Sequence, residues 1–429
     1  MSLQFVFGPS GGGKSYYLYE KIIEEAKKDR TKDFLLIVPE QFTMQTQKEL
    51  VERSKNHAIM NIDVLSFERL AFRVFDELGM YQIRILEETG KNLILRRLTE
   101  EYGDSMSVLG SNLKKMGYVS EIKSLISEFM QYQITPEDIE AWCEDEDNAW
   151  SFRLKMKDIL VIYRKFLEYL EGSYITSEEV LEECAKTAGR SVMLKDCNLI
   201  FDGFTGFTPV QVNLLKTLFP MTDRVWAAVT LDKRVDPFCV TGIQELFHMS
   251  QKMVRTLLEL ADEAKCEVLE PIWVEDGRQY RYGNAKALLH LEENLFRSSL
   301  KAYPKEQDEI QIQSCQNRKE ELEFAAATIS RMVREEDYRY RDFAIVSGAA
   351  ADYANYVKEI FEAYGIPYFI DEKKTILFHP FIEFLRASLE MVEEDFSYES
   401  VMRYFRSGLS RQSTEEIDRL ENYILATGI

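Results

Sequence analysis

One eight-residue segment constrains this chain more than any other. Gly8-Pro9-Ser10-Gly11-Gly12-Gly13-Lys14-Ser15 satisfies G-x-x-x-x-G-K-[ST] in full, and it lies between an apolar run at residues 3–7 and a helical pattern from Tyr16 to Lys28. A strand, a glycine loop and a helix in that order turn successive backbone N–H groups inward and aim the positive end of the helix at the same point. That is the anatomy of a phosphate cradle. Lys14 is expected to reach the β- and γ-phosphates of a nucleotide, and the Ser15 hydroxyl to bind Mg²⁺. ATP and Mg²⁺ are therefore the expected ligands.

The rest of the chain has to supply a fold in which such a loop can sit. Residues 3–7, 34–38, 59–65, 198–202 and 225–231 are short apolar or β-branched runs separated by helical patterns, which predicts an α/β fold built on a parallel sheet. Between the third and fourth runs, about 130 residues carry no strand signal. Instead Leu113, Met116, Val119, Ile122, Leu125, Ile126 and Phe129 form one helical stripe, and Ile159, Ile162, Tyr163, Phe166, Leu167 and Leu170 another. The pattern predicts a helical insertion at residues 81–195 that divides the α/β domain into 1–80 and 196–304. From residue 305 alternation restarts, with strands expected at Ile310 to Cys315 and Phe343 to Val346 and helices at Lys319 to Val333 and Tyr353 to Tyr364. No closing strands follow, so 305–429 reads as a second α/β unit that is cut short.

Charge and thiol chemistry narrow the function classes. The 429 residues hold 53 Lys plus Arg and 73 Asp plus Glu, a net charge of −20, which by itself argues against a phosphate-backbone partner. The acids are unevenly spread, however: residues 1–75 carry 11 basic and 10 acidic side chains, whereas 121–150 carry one Lys against nine acids, a block that reads as a solvated face. Six scattered cysteines without a C-x-x-C pair, and four histidines without ligand spacing, predict no disulfide framework and no metal held by protein ligands alone. The first residues lack a signal-peptide pattern and no apolar run is long enough for a membrane span, so a cytoplasmic location without membrane contact is expected.

Two further sets of residues are candidates. Leu199-Ile200-Phe201-Asp202 is an apolar run ending in a carboxylate that can either join the Mg²⁺ shell or cap a turn. Gly203 follows, at a position where many P-loop motors place a glutamate as general base, so no catalytic residue is assigned and slow turnover is expected. Gln41 and Thr43 lie just past the second strand and Phe67 and Arg69 just past the third, at the edge where a doubly wound sheet keeps its ligand crevice. Phe67 can stack a base or fill a core, and Arg69 can hold a phosphate or a surface ion pair. Phe207 is a further candidate for contact with single-stranded DNA.

Phe7-Gly8 through Lys14-Ser15, Leu36 through Thr43, Val64 through Leu70, and Phe201 through Gln211, with Asn317 through Glu321 and Gly365 through Phe369, together resemble the N-terminal part of the AddB family. These are the B subunits of bacterial ATP-dependent helicase/nucleases. The resemblance implies a RecA-like domain of superfamily 1 helicase type, with 81–195 as its 1B-like insertion and 305–429 as the start of a second RecA-like domain carrying a 2B-like helical region. It also implies an AddA-type partner subunit, single- and double-stranded DNA as substrates, and a role in double-strand-break resection and recombinational repair, with a degenerate motor that scans DNA sequence. The family's nuclease domain and 4Fe-4S cluster have no counterpart in these residues. The competing class is a P-loop small-molecule kinase or other transferase, which usually closes an arginine-rich lid that is not evident here.

Overall fold

A computed structural model describes residues 1–103, 106–110, 116–171, 174–275, 277–297, 301–371 and 376–428. The chain begins with β1 (Ser2–Gly8), α1 (Lys14–Lys28), β2 (Phe34–Ile37), α2 (Thr43–Arg53), β3 (Ile62–Leu65) and α3 (Phe67–Glu77). A short strand β4 (Ile85–Leu86) leads into α4 (Glu88–Tyr102), α5 (Met116–Gln131), α6 (Pro136–Glu144) and α7 (Trp150–Leu170), and β5 (Ile175–Thr176) leads out. There follow α8 (Glu179–Thr187), β6 (Asn198–Phe201), α9 (Pro209–Leu218), β7 (Arg224–Thr230), α10 (His248–Glu263), β8 (Glu267–Val268), β9 (Ile272–Trp273), α11 (Gly277–Tyr282) and α12 (Lys286–Asn294).

The main sheet runs β3-β2-β6-β7-β1-β8, with β9 also on β1, and each of these pairings is parallel. All five expected core strands form. The pairs made by β8 and β9 were not foreseen, because two-residue strands leave no periodic signal. Alternation along the strands explains the layering. Leu3, Phe5, Phe7, Leu35, Ile37, Leu199, Phe201, Val225, Ala227 and Val229 face α3, α8, α9 and α10 in one core, whereas Val6, Phe34, Leu36, Ile200, Trp226 and Ala228 face α1 and α2 in the other. Both faces are covered, which is why the strands read as near-continuous apolar runs. The architecture is a RecA-like α/β fold with a helical insertion.

The insertion has its own core. Leu95, Ile122, Ile126, Phe129, Ile139, Ile162, Phe166 and Leu170 from α4 to α7 pack together apart from the sheet, while α8 returns Val180, Leu181 and Cys184 to it. Leu113, the first member of the expected α5 stripe, lies outside the described residues. At the neck, β4 and β5 pair in parallel. Beside them Lys91, 2% exposed, donates to the Glu178 carboxylate at 2.7 Å, to Glu88 at 2.9 Å and to Ser177 at 3.2 Å, and Glu178 is itself buried.

The molecule divides into two compact units, Met1–Ile310 and Gln311–Ile429. The second consists of α13 (Arg318–Glu335), α14 (Ala350–Tyr364), α15 (Pro380–Glu393), α16 (Tyr398–Arg406) and α17 (Thr414–Thr427). Leu322, Ala326, Ile329, Val357, Ile360, Phe361 and Ile366 form its apolar centre. The expected strands at 310–315 and 343–346 are not strands among the described residues, and Ile312 and Val346 are almost fully exposed. A strand exists only through a partner that completes its hydrogen-bond ladder, and an apolar run supplies a candidate edge without that partner. All six cysteines are free thiols, and burial pushes those of Cys184 and Cys197 up to about 12. Among the described residues no group of three His, Cys, Asp or Glu could hold a metal, and no helix is long and apolar enough to cross a membrane.

Lys91→Met is expected to destabilise the fold by about 3–5 kcal/mol in denaturant unfolding, because it leaves the buried Glu178 carboxylate without its cation. An unchanged midpoint would show that water reaches the neck and takes over the lysine's role.

Candidate nucleotide site

The loop after β1 is curled. Gly11 and Gly13 adopt φ of 72° and 91°, backbone angles that a side chain disfavours, and the Gly12 amide donates to the Pro9 carbonyl at 3.0 Å. The curl delivers the chain into α1, whose first amides have no acceptor within the helix and face the loop. Leu18, Ile22, Ile23 and Ala26 bury one side of α1 on the sheet, so the helix axis is fixed relative to β1.

Two side chains of α1 meet the end of β6. The Ser15 hydroxyl donates to Asp202 Oδ1 at 3.1 Å and the Tyr19 hydroxyl to Oδ2 at 2.8 Å, and Asp202 is buried. β7 lies between β1 and β6 in the sheet, so this contact spans one strand. Burial, reinforced by the Asp202 charge, raises the Tyr19 phenol well above its usual range. Tyr19 was not singled out from sequence; its place four residues after Ser15, and so on the same helix face, was the available signal. Lys14 Nζ donates to the Pro9 carbonyl at 3.0 Å, and burial lowers its pKa to about 8 against the opposing pull of Asp202.

Of the expected loop residues, Gly11 through Ser15 line an open cleft of about 1160 Å³ together with Asp202, Gly203, Gln45, Thr46, Arg53 and Arg281, whereas Gly8, Pro9 and Ser10 are not among its lining residues. Ser10 is exposed at the crown and Pro9 is buried beneath it. An anion entering the cleft meets the α1 amides and Lys14, and a divalent cation meets the Ser15 hydroxyl and the Asp202 carboxylate. This is the donor set that a magnesium-bound triphosphate requires. Gly203 has a φ of 80°, so the position after Asp202 is shaped for glycine and presents no carboxylate.

The second candidate set is only partly at the surface. Gln41 and Arg69 are exposed, and Arg69 Nε donates to Glu40 at 2.9 Å, the ion-pair alternative. Thr43 is buried and its hydroxyl donates to the Glu40 carbonyl at 3.0 Å, at the start of α2. Phe67 is 4% exposed and packs its ring against Phe201, Phe204 and Phe207 at centroid separations of 6.2, 5.6 and 6.0 Å. Its ring has no free face for a base, so the core alternative describes it. Phe207 is half-buried in the same cluster. A pocket of about 280 Å³ beside these rings is lined by the carboxylates of Glu40, Glu68 and Glu178, and burial together with Glu40 and Glu178 raises the Glu68 carboxyl. Phe67→Ala should cost about 3–5 kcal/mol of unfolding free energy, the usual cost of an emptied core aromatic site. A loss below about 1 kcal/mol by chemical denaturation would return Phe67 to the surface.

Comparison with known proteins identifies the family. A family profile described as "ADDB, N-terminal" matches residues 5–292. Over its whole length the chain is 42% identical to a Lachnoclostridium phytofermentans protein named as the B subunit of an ATP-dependent helicase/deoxyribonuclease, covering 38% of that protein. It is 34% identical to a protein of the same name from Clostridium tetani, covering 37% of it. The chain thus spans little more than a third of the length of these curated relatives. With two thirds of its residues matched by the profile, the chain belongs to the AddB N-terminal family.

Proposed function

We propose that this chain binds Mg-ATP at the loop between β1 and α1 and forms the helicase-like portion of a helicase/nuclease subunit. The observation that carries the reading is the curled glycine loop with Lys14 inside it and Ser15 hydrogen-bonded to Asp202 across one strand. Lys14 meets the outer phosphates, the amides of α1 and the loop meet the oxygens between them, and Ser15 with Asp202 holds the magnesium ion. Gly203 leaves the attacking water without a base next to Asp202, so the nucleotide is held far longer than it is hydrolysed. ATP then acts chiefly by fixing the loop, α1 and the end of β6 in one arrangement.

The strand ends that carry Gln41 and Arg69 are the proposed contact for single-stranded DNA, beside the nucleotide on the same edge of the sheet. The relatives' names support a subunit of a helicase/deoxyribonuclease; the proposed partner is a helicase/nuclease subunit of the AddA type, and the proposed setting is resection of broken DNA for recombinational repair in the cytoplasm. Reading of the passing strand, rather than propulsion along it, suits a site built to hold ATP and hydrolyse it slowly. Arg69 must leave Glu40 to meet a phosphate, and the carboxylates nearby weaken any such contact, so DNA affinity in this region is modest and falls with salt.

Isothermal titration of the chain with Mg-ATP tests the nucleotide site: Lys14→Ala should lose most of the affinity, and an equal Kd in both proteins would remove the site. The lowered pKa of Lys14 sets the sign of the pH dependence. Below about pH 8 the free amine already carries the proton that an anion needs; above it, binding must recruit one, and affinity should fall by up to about tenfold per pH unit. A flat profile from about pH 7 to about 9.5 would show that Lys14 does not meet the phosphates. For DNA, Arg69→Ala should weaken single-strand binding and flatten its salt dependence, measured by fluorescence anisotropy.

A further inference from the structure

We propose that Arg281 is a second phosphate-contacting cation of this nucleotide site, supplied from outside the motif by α11. The proposal rests on the reading of the loop as an ATP site and adds a residue to it. Sequence position gives no hint of the role, since 266 residues separate Arg281 from Ser15.

The segment running from β9 into α11 is fastened to the loop backbone to backbone. The Val274 amide donates to the Phe7 carbonyl at 2.8 Å, and the Gly277 amide to the Gly12 carbonyl at 3.1 Å. Side chains are excluded from this seam: a β-carbon on Gly8 would lie 2.1 Å from the Val274 carbonyl oxygen, and one on Gly277 would lie 2.8 Å from the Gly12 carbonyl and the Gly13 α-carbon. The glycines of the loop therefore serve this contact as well as the loop's own curl. Arg281 lies one helical turn beyond Gly277, which returns it to the face that touches the loop. Its Cδ and Cγ rest 3.0 and 3.2 Å from where a Gly11 β-carbon would be, so its aliphatic stem lies across the crown of the loop.

The guanidinium begins one bond beyond that stem, and Arg281 lines the same cleft as Lys14, Ser15 and Asp202. Its chemistry is uncommitted. Arg281 is exposed, and among the described residues no carboxylate is within ion-pair distance of it. The other arginine of the cleft is engaged: Arg53 is paired with Glu49 at 2.6 Å and stacked over the Tyr16 ring at 4.3 Å. Lys14 contributes a partly desolvated amine on the inner side of the loop. A triphosphate brings more negative charge than Lys14 and one Mg²⁺ neutralise, and a planar guanidinium on a stem seated beside Gly11 is suited to bidentate contact with the remaining phosphate oxygens.

Titration of the full chain with Mg-ATP, using Arg281→Ala and Arg281→Lys beside Lys14→Ala, tests this. Arg281→Ala should weaken binding by about tenfold or more, as expected for loss of a hydrogen bond to a charged group, and Arg281→Lys should recover part of the loss. The melting temperature without nucleotide should not change, because the side chain is exposed, whereas the upward shift on adding Mg-ATP should shrink. An unchanged Kd in Arg281→Ala, with binding lost in Lys14→Ala, would overturn the role of Arg281 and leave the loop reading intact. A lowered melting temperature without nucleotide and full loss in both Arg281 variants would make the residue a structural support and also overturn the proposal. Failure of the unsubstituted chain to bind Mg-ATP would overturn both readings.

Discussion

The buried carboxylate of Asp202 is the tie on which the geometry of the proposed nucleotide site depends. It ends β6, and its two oxygens take hydrogen bonds from Ser15 and Tyr19, one turn apart on α1. A buried carboxylate left without partners costs several kcal/mol, so the pairing of helix to strand is enforced as much by the cost of losing it as by what it contributes. The consequence is positional: the helix that follows the glycine loop is tied to a strand that is not next to β1 in the sheet.

The aromatic cluster and the strap on the loop flank that tie. Phe67, Phe201, Phe204 and Phe207 pack immediately behind Asp202 and fix the end of β6 from the sheet's other face. From the opposite side, Val274 and Gly277 press backbone onto backbone against the loop. The loop is thus held between a strand end and a chain segment that comes some 265 residues later, which makes its shape a property of the whole α/β unit.

The edge of the sheet beside it has a mixed character. Residues at the ends of β2 and β3 do share one side of the molecule, as strand topology requires. Their chemistry is divided between outward-facing polar groups, Gln41 and Arg69, and inward-facing Thr43 and Phe67. Glu68 adds negative charge there and Arg69 is already paired with Glu40, so a nucleic-acid strand would be met by shape and hydrogen bonding more than by attraction to its phosphates.

The glycine loop between β1 and α1, the five central strands and the existence of a helical insertion were all legible in the order of residues. Each is written in local spacing: glycines that permit positive φ, apolar runs between helical patterns, and stripes at helical period. Other features became definite only when distant segments met. Phe67 could stack or pack by its residue type, and the approach of Phe201, Phe204 and Phe207 from another strand fixed it in the core. The runs at 310–315 and 343–346 have strand-like composition, and it is the absence of a ladder partner among the described residues that keeps them from being strands. Tyr19 and Arg281 gained their places at the cleft from neighbours far along the chain. Local pattern records what a segment can do, whereas burial, pairing and partner choice depend on which distant segment arrives beside it.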